Sequence, residues 1–196
     1  MHATRASQAL ALALSLCLLP AAAAAEEGGA SPEEVFQTMK TAADAGDWPT
    51  YFRSGSPDSR PSLLGGILIA CTFATMGEGF KPDPEKQKAL EALFAEHGVD
   101  TEALGGAVST EPADAKAATA KAFAKVEDPP AFFAAMMQFL ERQGQGAVIK
   151  HDTGALEGLT IEGGTAKATF QRGGEAKPVH FVLVGERWYA DFDKLK

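Results

Sequence analysis

Residues 159–192 read LTIEGGTAKATFQRGGEAKPVHFVLVGERWYADF, and their period is two. Ala166, Ala168 and Phe170 alternate with Lys167, Thr169 and Gln171, the pattern of a strand with one dry and one wet face. Gly163-Gly164, Gly173-Gly174 and Gly185-Glu186 interrupt the alternation at turn spacing, so strands are predicted at Leu159–Glu162, across the alternating residues 166–171, at Val179–Val184 and at Trp188–Phe192. Loops this short allow only antiparallel neighbours. Pro178 cannot donate to a ladder and marks a strand start, a bulge or an edge. Ala147–His151 is a candidate for a further strand.

Upstream of Gly146 the period changes to that of helices. Ser31-Pro32-Glu33-Glu34 combines an N-cap, a proline at the first helical position and a capping-box acid. Val35, Phe36, Met39, Ala42 and Ala43 then form one apolar face, and Gly46 stops the helix. Asp47 caps a short second helix with Trp48, Tyr51 and Phe52, and Ser54–Pro61 is a turn-rich break. Leu63–Met76 is apolar for 14 residues, a length that suits a buried helix better than a bilayer span. Asp83-Pro84-Glu85 opens the next helix, with Leu90, Leu93 and Phe94 inward. Gly105–Pro112 reads as a loop and the alanine-rich Ala113–Val126 as a surface helix. Asp128-Pro129 caps the last helix, whose Phe132, Phe133, Met136 and Leu140 face the core. Helices first and strands last make the class α+β: N-terminal helices packed on one face of a curved C-terminal β-meander.

The first 25 residues have the three parts of an export signal. Arg5 is followed by an apolar stretch from Ala9 to Leu19, by Pro20, and by the Ala-x-Ala site at Ala23 and Ala25. The stretch is about half the roughly 20 residues a bilayer span needs, so cleavage after Ala25 is expected, with no membrane span left behind. Leu16 before Cys17 does not suit lipidation. Removing Arg5 lowers the basic residues from 18 to 17 against 26 acidic ones, a surface that repels phosphate backbones and excludes nucleic acid as a partner. Residues 26–30 are expected to be a disordered leader and 31–196 a single domain. Cys71 is the one remaining cysteine, so the product is expected to be periplasmic or secreted without an internal disulfide.

Three features together resemble the nuclear transport factor 2-like, cystatin-like cone superfamily, in its secreted branch of unknown function. They are the Ser31-Pro32-Glu33-Glu34-Val35-Phe36 opening, the Ala45-Gly46-Asp47-Trp48 exit and the closing Gly185-Glu186-Arg187-Trp188-Tyr189. The resemblance implies a long helix across a curved sheet whose concave face forms a cone-shaped pocket. It covers about 31–60 and 147–193; residues 61–146 do not match it and read as a helical insertion able to fill or cap the pocket.

The superfamily's isomerases and cyclases imply an Asp or His base with an acid donor inside an apolar cone. The strand candidates here are His180, Tyr189 and Asp191. Alternation places them opposite the apolar sets Val179, Phe181, Leu183 and Trp188, Ala190, Phe192, on the face expected to be wet. The short helix flanks the cone mouth in that architecture, which makes Trp48, Tyr51 and Phe52 candidate ligand contacts. Asp191 with Asp193, and His151 with Asp152, are weak cation or acid–base pairs, and His97 suits a helix C-terminus. No catalytic, metal or phosphate motif is present, and no cofactor is expected. The leading expectation is a non-catalytic exported domain that binds an unknown protein or a small apolar ligand. The alternatives are a small cone-pocket enzyme of the isomerase, cyclase or dehydratase type, and a helical insertion that serves as an interaction surface, for instance in self-association.

Overall fold

The computed structural model describes residues 27–107, 112–145 and 155–194. The predicted export segment, the candidate strand Ala147–His151 and the His151-Asp152 pair lie outside the described residues. Within them, seven α-helices precede a four-stranded antiparallel sheet, the predicted α+β class.

Strands β1 (Glu157–Glu162), β2 (Thr165–Arg172), β3 (Glu175–Val184) and β4 (Arg187–Ala190) pair in chain order. Ala166 opposes Phe181, Ala168 opposes Val179 and Phe170 opposes Lys177, which puts the apolar set of β2 and β3 on one face. The β2–β3 turn needs both its glycines: Gly173 and Gly174 have φ of 59° and 77°, a left-handed pair that side chains resist. β4 pairs only as far as Phe181, so Pro178 lies beyond the β4 ladder where no donor is required of it. The helices cover β3 at Val179 and Phe181 but stop short of Leu183, which is exposed instead of joining the core as expected.

Helix α1 (Pro32–Ala45) starts as its sequence predicts. Ser31 Oγ accepts from the Glu34 amide, and the left-handed Gly46 closes the C-terminus. Its buried face lies against β4, and Phe36 meets Phe170 of β2 at 5.5 Å between ring centroids. Helix α2 (Trp48–Arg53) follows, with Asp47 accepting from the Thr50 amide. The centre of the helical layer is α7 (Pro129–Arg142), packed on α2 and on α3 (Arg60–Ala74). Phe132, Phe133, Met136, Met137 and Leu140 of α7 are fully buried, each contributing roughly 1.5–3 kcal/mol by leaving water. The segment read as an insertion therefore supplies the middle of a single core that runs from α1 to the sheet. Helix α4 (Pro84–Glu96) packs Phe94 and the C-terminal His97 against Phe132.

Four further expectations need correction. Residues 27–30 are not a loose leader. Gly29 exchanges two backbone hydrogen bonds with Trp188 (2.9 and 2.8 Å), Glu27 pairs with Arg60 at 2.8 Å, and Glu34 Oε2 accepts from the Ala30 amide. The β4 edge offers unpaired backbone groups, and this segment satisfies them. Second, α3 is buried along one side only: Leu64, Ile67, Cys71 and Ala74 face inward, while Ile69 and Phe73 are 59% and 63% exposed. A run of apolar residues interrupted only by Gly65-Gly66 and two threonines carries little period from which to choose a buried side. Third, Gly105–Pro112 is not all loop, because α5 (Thr101–Ala107) and α6 (Pro112–Ala122) extend into it from both ends. Fourth, α6 and the turn after it are anchored: Thr119, Ala122, Phe123 and Val126 are buried.

Candidate functional site

A cavity of about 480 Å³ lies between α1, α2 and the β2–β3 hairpin. The chain's periodicities converge on it. Phe36 and Met39 are three apart on the buried face of α1, and Tyr51 projects from α2. Phe170 and Arg172 are two apart on β2, as are Lys177 and Val179 on β3, so all four share the sheet's inner face.

The depth of the cavity is apolar and its mouth is charged. Phe36, Met39, Phe170 and Val179 are all at most 5% exposed. The Tyr51 ring lies nearly parallel to Phe133 on α7 (6.2 Å, 6°) and to Phe192 after β4 (6.0 Å, 17°), which fixes its orientation. Burial raises the Tyr51 phenol above the ordinary tyrosine value, with the Arg172 charge pulling weakly the other way. The phenol therefore stays protonated at neutral pH. At the mouth, Lys177 Nζ donates to Glu175 Oε2, and that bond holds the Glu175 carboxyl below its ordinary value. The lining thus combines apolar walls with Tyr51, Arg172 and the Lys177–Glu175 pair.

The predicted site residues scatter relative to this cavity. Tyr51 lines it. Trp48 packs edge-on against Tyr51 at 6.2 Å, and Phe52 lies between Phe133 and the Arg60 guanidinium, so both support the wall without lining it. His180, Tyr189 and Asp191 do share the opposite face of the sheet, as alternation requires, but they do not form one site. His180 sits half-buried in a shallow groove of about 70 Å³ with Thr160, Glu162, Thr165, Lys167 and Lys194. Tyr189, expected to be wet, is buried because residues 27–28 cross it, and its hydroxyl donates to the Glu27 carbonyl at 3.3 Å. Asp191 accepts from the Asp193 amide and pairs with Lys194 at 3.4 Å. Asp193 accepts from the Ser62 hydroxyl, so it and Asp191 are held by different protein groups. Among the described residues no three His, Cys, Asp or Glu side chains are grouped to hold a metal. The Cys71 thiol is buried against the Met136 carbonyl (3.7 Å), which pushes its pKa up to about 12 and leaves it unreactive at neutral pH.

Sequence reasoning assigned Phe36, Val179 and the β2 apolar set to ordinary core and passed over Arg172 and Lys177. One signal was available: both cations occupy the apolar register of their strands, in line with Phe170 and Val179, Arg172 beside the Gly173-Gly174 turn and Lys177 three residues after it. A charge on the inner face of a hairpin marks the place where that face is not closed.

No family model, curated protein or solved structure matches the chain. No helix among the described residues is long and apolar enough to cross a membrane.

Proposed function

We propose that the chain is an exported, non-catalytic binding domain, akin to the nuclear transport factor 2-like cones, that takes a small ligand with an apolar body between α1, α2 and the β2–β3 hairpin. The observation that carries this reading is the cavity itself. Its 480 Å³ falls inside the roughly 300–1,000 Å³ typical of small-molecule sites. Export is supported by the Arg5, apolar stretch and Ala23-x-Ala25 pattern. The position of His180, Tyr189 and Asp191 on the far side of the sheet weighs against the cone-pocket enzyme, because a base must lie within hydrogen-bond reach of the atom it deprotonates.

Native mass spectrometry of the purified protein, expressed with its own N-terminus, tests both parts. The expected species lacks residues 1–25 and either retains an organic molecule or takes up 1-aminonaphthalene stoichiometrically. The Val179→Phe variant, which places a ring in the cavity, should bind neither. An intact N-terminus would remove the export reading. A protein that carries nothing and takes up no aromatic probe would remove the binding reading.

A further inference from the structure

We infer that the exposed side of α3 is a self-association surface, on which two copies of this chain pair through antiparallel α3 helices about a two-fold axis between Ile69 and Ala70. The inference is independent of the cavity.

Helix α3 is held by its own chain on two sides. Leu64, Ile67, Cys71 and Ala74 are buried, with the Cys71 thiol against Met136 of α7, and Gly65 lies against Thr119 of α6. The remaining side carries Gly66, Ile69, Ala70 and Phe73, whose spacing of three and four residues places them in one stripe. Ile69 and Phe73 are 59% and 63% exposed, and the turn after α3 displays Phe80 at 83%. These are the three most exposed large apolar side chains among the described residues. Phe80 has a φ of 57°, a left-handed backbone that a bulky side chain rarely adopts. Its turn is closed by the Gly77 amide donating to the Lys81 carbonyl at 2.7 Å and the Asp83 amide donating to the Thr75 carbonyl at 2.8 Å.

What points to a second copy is that the stripe complements itself. In the antiparallel pair, Gly66 of each copy faces Phe73 of the other, and Ala70 faces Ile69, so each large side chain meets a small one. The gap at Gly66 is open: a Cβ there would meet nothing within 4 Å. Charge agrees with this occupant. A two-fold axis sets a patch against itself, so any charge inside it would face its like; from Pro61 to Gly77 there is none, on a chain of formal charge −8. Area sets the strength. At roughly 200 Å² for each large side chain, exposures of 59%, 63% and 83% leave about 400 Å² of apolar surface on each copy. Pairing buries about twice that, with the half-buried Leu63 and Met76 at its flanks, which falls just below the roughly 1,200 Å² at which stable interfaces begin. The pair is therefore weak. Monomers prevail at the few micromolar of an unfolding titration, and dimers form at concentrations on the order of 100 µM.

Sedimentation equilibrium of the purified protein, expressed with its own N-terminus, from about 5 to about 500 µM tests this. The expected weight-average mass rises from one chain toward two and no further, because a two-fold contact closes on itself. Ile69→Ser with Phe73→Ser should remain monomeric throughout. Gly66→Leu, which fills the gap facing Phe73, should weaken pairing about tenfold and leave thermal melting unchanged, since the position is open in the monomer. Loss of pairing in the double variant with no effect of Gly66→Leu overturns the two-fold register. Association that survives both variants, or that grows beyond two chains, overturns the inference and places the contact elsewhere. A wild-type chain that stays monomeric at the highest concentration also overturns it. Cosedimentation of that chain with phosphatidylcholine vesicles, lost in the double variant, would then assign the face to a lipid surface instead.

Discussion

Gly55 shows how much a single residue carries at this junction. A Cβ placed there would lie 2.1 Å from Cε2 of Phe192 and 2.6 Å from Cδ2. The approach is forced from both sides. The Ser54 carbonyl accepts from the Ala190 amide and the Ser56 amide donates to the Ala190 carbonyl, at 2.9 Å each, and Ser59 Oγ also donates to the Ala190 carbonyl. Gly55→Ala must displace the Phe192 ring, which itself stacks on Tyr51. We expect a loss of about 1–3 kcal/mol in urea unfolding; a loss under about 0.5 kcal/mol would show that the ring yields freely. Tyr51 provides a second residue-scale test. Its phenol is raised in the fold relative to an unfolded value of about 10, so the unfolded chain ionises first. The resulting stability is complete below about pH 10 and is lost as pH rises beyond it. The Tyr51 phenolate band at 295 nm, assigned by its absence in Tyr51→Phe, should appear only together with loss of far-ultraviolet circular dichroism. A Tyr51 phenolate at pH 10.5 with the dichroism intact would contradict the burial.

At the scale of elements, legibility followed the local signals. The starts of α1, α2 and α7 were readable because each is written in a cap: Ser31, Asp47 and Asp128 all accept from the backbone amide of the third helical residue. The strands were readable because three pairs of turn residues bound them. Helix α3 was readable as a helix, but not in its orientation, since apolar residues surround it. The structure settles this with a sharp contrast for mutagenesis. Ile67→Ala on the buried side should cost about 2–4 kcal/mol. Ile69→Ser with Phe73→Ser on the exposed side should change stability by less than about 1 kcal/mol in the same denaturant titration. A large loss from the exposed pair would mean that this face is covered in solution. Residues 27–30 belong to the same scale: nothing in Glu27-Gly28-Gly29-Ala30 announces a partner, which exists only because β4 ends the sheet and leaves its edge open.

For the whole molecule, the question is whether residues 61–146 form a unit of their own. The buried side chains say they do not. α7 packs on α2 through Phe133 and Tyr51, α2 reaches Phe192 after the last strand, and one cluster of buried residues spans all of these. Met136→Ala in α7 and Phe181→Ala in β3 should therefore shift one common transition, by about 2–5 kcal/mol each, whether followed by dichroism or by tryptophan fluorescence. Two transitions moved separately by the two variants would make the helical segment an independent unit.

The sequence by itself determined the class, the order of the elements other than α5, the capped helix starts and the parity of each strand, because caps, glycine turns and alternation act over a few residues. Parity already placed His180, Tyr189 and Asp191 together on the outer face. Only the tertiary structure decided that residues 27–28 bury Tyr189, that one side of α3 stays exposed, and that Arg172 and Lys177 stand at the mouth of a cavity walled by Phe36 and Phe170. These features come from contacts between segments far apart in sequence, 65 residues for Cys71 and Met136 and 162 for Glu27 and Tyr189, or from space left unfilled between elements. Neither has a local pattern to betray it, since a side chain lining a cavity obeys the same periodicity as one packed in a core.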